Sequence, residues 1–174
     1  MKKMNLKKGF THQNFLKKIS GGFTLIELLV VVAIIGILAS VVLVSLSNAK
    51  KRGEDTAVKT NLHTTINQAE LFYLDNNDSY LPAGGSTFNI APCPSYDASG
   101  TNMLSVNKVM ADALTEAINK GNGSSCYNST NIWAIAVGLK LEANTSWCVD
   151  NTGIAKMVNS LPSDAINADS FSCN

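Results

Sequence analysis

The sequence predicts an α+β fold: one long N-terminal helix, its outer half packed on a small antiparallel sheet of about three strands, with a second helix. Three observations carry this. Residues 23–46 are a near-continuous Val, Ile and Leu run of bilayer-spanning length, without proline. Ala49, Val58, Leu62, Ile66, Ala69 and Tyr73 then recur at mostly three- or four-residue steps, so the helix continues beyond the apolar run. Past residue 130 the period changes to two: Trp133, Ile135, Val137, Leu139 and Leu141 alternate with Ala134, Ala136, Gly138 and Lys140.

Residues 1–22 form a separate basic leader. They hold six lysines (Lys2, Lys3, Lys7, Lys8, Lys17, Lys18) and no acid. Cutting after Gly22 removes six of the 14 basic residues and leaves 8 against 13 acidic, so a formal +1 becomes −5. A secretory signal has its apolar stretch before the cleavage point, whereas here it lies after, so the product keeps the helix. The positive-inside bias holds the lysine-rich end in the cytoplasm and sends the rest outward. Lys50, Lys51 and Arg52 on the far side weaken that bias, and Glu54 and Asp55 offset them.

Within the run the backbone can be satisfied in lipid only as a helix, and Gly36 is its one weak point. Glu27 is the only ionisable side chain between Phe23 and Ala49. A carboxylate at membrane depth costs a few kcal/mol and asks for a partner. Asp75-Asn76-Asn77-Asp78 and then Pro82 stop the helix. The expected divisions are thus 1–22, 23–46 (membrane or core half), 47–75 (outer half) and 76–174 (globular head).

In the head, residues 76–103 read as irregular chain around Gly84-Gly85 and Pro92-Cys93-Pro94. Leu104–Lys120 has amphipathic spacing with Ser105 as its cap, and Gly121-Asn122-Gly123 ends it. Strands follow over residues 131–141, at Trp147-Cys148-Val149, and over residues 154–158. The apolar face, Trp133 to Leu141 with Trp147 and Val149, is expected to cover the outer half of the long helix.

Four cysteines, widely spaced and all beyond the apolar run, read as two disulfides in an exported domain. Spacing leaves three pairings open. Strand alternation puts Cys148 on the face opposite the helix, where a bond to Cys173 would pin the C-terminal tail; Cys93 and Cys126 then remain for each other.

Several function classes recede. Arg52 is the sole arginine, which demotes a nucleic-acid surface to an open alternative. His12 falls in the leader and His63 on the polar side of the helix, so no Ser-His-Asp or Cys-His set is available and no enzyme is expected. Asp150, Asp164 and Asp169 offer a calcium reading, but solvated loop acids are preferred; neither metal nor cofactor is expected. The four Asn-x-Ser/Thr sequences, at Asn77, Asn122, Asn128 and Asn144, occur at chance frequency.

Gly22-Phe23-Thr24-Leu25-Ile26-Glu27-Leu28-Leu29, followed by Val-Val-Val-Ala-Ile-Ile-Gly-Ile-Leu-Ala, resembles the class III signal of type IV pilins and type II secretion pseudopilins. Weaker similarity continues through Phe72-Tyr73-Leu74-Asp75-Asn76. The resemblance implies a type IV pilin-like fold and a prepilin peptidase that cuts between Gly22 and Phe23 and N-methylates the Phe23 amine. It further implies storage in the inner membrane, then assembly by an ATPase and a platform membrane protein into a helical polymer of this chain with related minor pilins. In that polymer Glu27 would pair with the Phe23 ammonium of a neighbouring subunit. The destination would be an extracellular pilus (for adhesion, motility or DNA uptake) or a periplasmic secretion pseudopilus, and a minor or competence pilin that serves as a binding module is the third reading the resemblance implies. Many type IVa pilins carry proline where this chain has Val44, so helix melting at that point is not implied here.

Overall fold

The computed structural model describes residues 22–174. Two compact units divide the chain, Met1–Val41 and Val42–Asn174. Helix α1, Leu25–Asp75, contributes to both. In the first unit every described residue is exposed. Ser40, a polar interruption there, donates its hydroxyl to the Ile37 carbonyl at 2.7 Å and so is satisfied within its own helix.

The second unit is a helix-on-sheet sandwich. Strands β1 (Phe88–Ala91), β2 (Ser124–Asn128), β3 (Trp133–Gly138), β4 (Ser146–Asp150) and β5 (Ala155–Val158) form one sheet in chain order, antiparallel at every pairing. The expected count of about three strands is therefore corrected to five. The three expected strands are β3, β4 and β5, and the two additions lie on the β1 side. Ser-Ser-Cys-Tyr-Asn in β2 has no apolar alternation to report it. Phe-Asn-Ile-Ala in β1 is a four-residue edge strand beside Pro92, bulged against β2 between Phe88 and Ala91.

Period two gives the sheet two unlike faces. Trp133, Ile135, Val137 and Val149 are fully buried in one core with Val58, Leu62 and Ala69 of α1, as the alternation predicts. Trp147 packs at its edge, with the Lys59 ammonium 4.6 Å from its ring centroid. The other face is small: Ala134, Ala136 and Cys148 lie under Ala165, Ile166 and Cys173 of the C-terminal tail. Disulfides Cys93–Cys126 and Cys148–Cys173 tie the β1–β2 region and that tail. Ring stacking of Tyr127 on Phe171, 4.0 Å between centroids, adds to the second attachment.

The expected second helix is two helices, α2 (Met103–Val106) and α3 (Lys108–Lys120). Asparagines, not Ser105, cap them. Asn102 accepts from the Ser105 amide at 3.1 Å, and Asn107 accepts from the Met110 amide at 3.0 Å. Asn107 breaks the run because its side chain bonds the backbone better as a cap than inside a helix. Val109, counted among the apolar positions, faces solvent. A short helix, α4 (Pro162–Ala165), opens with proline at its first turn. Gly138 is demanded by contact, since a Cβ there would strike the Asn122 backbone as the chain leaves α3.

Three buried polar side chains join these elements, and all three were read differently or passed over in the sequence. Asp55 accepts the backbone N–H groups of Lys140 (2.7 Å) and Leu141 (3.1 Å), so it clasps the turn after β3 to α1. Glu54 beside it meets the Lys140 ammonium at 3.2 Å. Asp150 is fully buried; its carboxylate accepts from Thr152 and, at 3.0 Å, from the Cys173 amide. The solvated-loop reading of Asp150 is thus corrected: folding the tail onto the sheet buries it and supplies its donors. Asn128 is fully buried as well, bonded to Met103, Tyr80 and Ser129.

Tyr80, buried against Tyr73 and Trp133, donates its hydroxyl to Glu70 at 3.0 Å. Burial, and then the Glu70 carboxylate, push its pKa up from 10.0 to about 12. The folded state therefore keeps a proton that the unfolded chain loses first. This contribution is intact below pH 10 and should decline as pH rises from 10 toward about 12. Denaturant titrations of Tyr80→Phe should lack that part of the alkaline slope; an identical slope in both proteins would place its origin elsewhere.

Candidate processing and assembly site

The residues singled out in the sequence lie together at the start of the described chain. Gly22, Phe23 and Thr24 precede α1 and are not helical, and all three are exposed. The Gly22–Phe23 peptide bond thus sits two residues ahead of the first helical residue, in exposed, non-helical chain. Nothing approaches within 4 Å of a Cβ built at Gly22, so this fold itself does not require glycine there. Phe23 is 77% exposed.

Glu27 has a partner within its own chain that the sequence reading did not foresee. Its Oε2 accepts from the Thr24 amide at 2.9 Å and from the Thr24 hydroxyl at 2.6 Å. The Glu27 amide in turn donates to the Thr24 hydroxyl at 3.2 Å. This is a reciprocal capping box, Thr-x-x-Glu, and it satisfies helix-start donors that lipid cannot. The signal was available in the spacing of Thr24 and Glu27. Oε1 has no hydrogen-bond partner among the described residues, so half of the carboxylate is left for a donor from outside. Phe23, Ile26, Val30 and Val31 form an open apolar recess around it.

The rest of the segment is unpartnered. From Leu25 to Leu46 the large apolar side chains are 45–81% exposed, among them Leu25 at 81% and Val31 at 45%. α1 is the one helix among the described residues long and apolar enough to cross a membrane. The lysines of the leader, with His12 and Gly21, lie outside the described residues. His63 is exposed on α1, as expected for its polar side. No group of three or more metal-ligating side chains occurs among the described residues; Asp150 is committed to Thr152 and Cys173.

The pattern described as the prokaryotic N-terminal methylation motif matches residues 17–43. The type IV wide pilus major component PilA4 of Thermus thermophilus is 50% identical over 56 residues, 32% of this chain and 43% of that protein. Type II secretion system core protein G of Aeromonas hydrophila is 36% identical over 61 residues, 35% of this chain and 43% of that one. The matches thus span less than half of either relative, and no solved structure matches. The chain carries the N-terminal methylation motif and, over about a third of its length, is similar to a type IV pilus component and to a type II secretion core protein.

Proposed function

We propose that the chain is the structural subunit of a type IV pilus-like filament. In this reading the leader, residues 1–22, is cut after Gly22 and the Phe23 amine is N-methylated. Subunits then leave the inner membrane and polymerise through their N-terminal helices, with an assembly ATPase, a platform membrane protein and minor pilins as partners. The observation that carries the reading is the long apolar face of α1, exposed from Leu25 to Leu46, with one half-used carboxylate at its start. Such a surface needs lipid or copies of itself to cover it. Higher identity to a pilus component than to a secretion core protein favours the pilus over a short periplasmic piston.

Coexpression with a prepilin peptidase tests the processing step. Intact-mass spectrometry is expected to find a product that begins at N-methylated Phe23. A mature chain that still carries Met1–Gly22 would sink the proposal. Electron microscopy separates the alternatives: long surface fibres of this chain support the pilus, whereas short assemblies seen only with a secretion apparatus support the pseudopilin.

A further inference from the structure

A cavity of about 520 Å³ opens in the head beside α2, away from the N-terminal site. Phe88 and Pro94 give it apolar wall; Asp97, Ser99, Asn102 and Ser105 give it polar groups. The wall is built before any ligand arrives. Thr101 is held to Ser86 through the backbone at 2.9 Å and through the two hydroxyls at 3.0 Å. The Asp97 amide donates to the Ser105 carbonyl at 3.0 Å, which hangs the loop on α2.

Two polar atoms are left over. Asp97 uses Oδ1 to accept from the Ser99 amide (2.9 Å) and hydroxyl (2.7 Å); its Oδ2 has no partner among the described residues. Asn102, only 7% exposed, uses Oδ1 to cap α2, and its Nδ2 has no partner among the described residues. Nδ2 is not among the fully buried unpartnered atoms of the described residues, so it is open to the cavity. One free acceptor and one free donor on a cavity wall suit neighbouring hydroxyl groups, each of which donates and accepts. The apolar wall suits the C–H face of a ring. No Lys or Arg lines the cavity, and Lys108 on α3 is tied to Asp112 at 2.9 Å, so an anion has no countercharge here. One carboxylate is too few to hold a metal ion.

We propose that this cavity binds a neutral saccharide, with Asp97 and Asn102 reading a pair of ring hydroxyls and Phe88 lying against the ring. Pockets of this size hold small organic ligands through an apolar lining and a few placed polar groups. The site is independent of the filament reading: it would serve a pilus or a secretion subunit alike, as a point of attachment to glycan.

The test is a ¹H–¹⁵N NMR titration of the full chain in detergent micelles with glucose, galactose and N-acetylglucosamine at millimolar concentration. At least one sugar is expected to give saturable shifts centred on Asp97, Ser99, Asn102 and Ser105. Asn102→Asp keeps an acceptor for the cap but replaces the free donor, and should weaken binding on the order of tenfold. Asp97→Asn, on an exposed loop where folding is not at stake, should weaken it similarly while retaining an acceptor for Ser99. The proposal is overturned if none of the three sugars shifts these signals, if both variants bind as well as the parent, or if inorganic phosphate produces the same shifts.

Discussion

Replacement of Glu27 by alanine is expected to prevent ordered filament formation while the head stays folded. Two losses combine. Within the chain, the capping box with Thr24 goes, which removes acceptors from the first turn of α1. Between chains, the Phe23 ammonium of a neighbouring subunit would lose its counterion inside an apolar helix bundle. An uncompensated buried charge costs about 3–5 kcal/mol, which corresponds to a hundredfold to several-thousandfold higher subunit concentration for assembly. The larger loss is between chains. Glu27→Gln separates the two, because its amide oxygen can still accept from Thr24 while the charge is gone. Pelleting and electron microscopy should show both variants defective, the glutamine with normal helix content by circular dichroism. Alanine filaments of unchanged helical parameters would show that Glu27 does not set the axial register.

Asn128→Ala should be the most damaging single change in the head. It leaves the Met103 N–H, now bonded at 2.9 Å, and the Tyr80 carbonyl, now bonded at 3.2 Å, without partners in a closed interior. It also opens a cavity beside Met103 and Trp133, both fully buried. Together these amount to about 3–5 kcal/mol, a large part of the 5–15 kcal/mol typical of a domain. Asn128→Asp should be no better: the carboxylate can accept from Met103 but has nothing to donate to the Tyr80 carbonyl. Urea unfolding of the full chain in micelles would measure this. A loss below about 1 kcal/mol for alanine would mean that water or a rearranged loop satisfies both groups. The burial of Asn128 also removes it from any glycan-acceptor reading of its Asn-Ser-Thr sequence.

What the sequence revealed follows from which interactions are periodic. Helix α1, the bulky face of β3 and β4, and the placement of Cys148 against the tail were all legible, because burial recurs at 3.6 or 2 residues. β2 was hidden because its buried positions include two polar residues, Ser125 and Asn128, and the bonds that satisfy Asn128 are long-range and leave no local pattern. Asp55 was hidden for the same reason. Beside Lys50, Lys51 and Arg52 it reads as one more surface charge, yet its donors lie 85 and 86 residues further along the chain. At the N-terminus the cleavage glycine, the following Phe23 and Glu27 were legible as a motif. The Thr24–Glu27 cap, although present in that motif as a capping spacing, was masked by the expectation that a membrane carboxylate must look outside its own chain.

The Asp55 clasp has a geometric consequence. An α-helix turns about 100° per residue, so moving the carboxylate one position would swing it away from the Lys140 and Leu141 amides. Together with Val58, Leu62 and Ala69 it fixes the angle at which the outer half of α1 is seated on the sheet. It thereby decides which residues are turned outward: Thr56, Thr60, His63, Asn67, Leu71 and Leu74 remain exposed. A neighbour that approaches this stretch of helix meets that row together with the exposed Glu70 and Asp75. One side chain, with no contact to the neighbour, would in this way set the azimuth at which successive subunits present themselves.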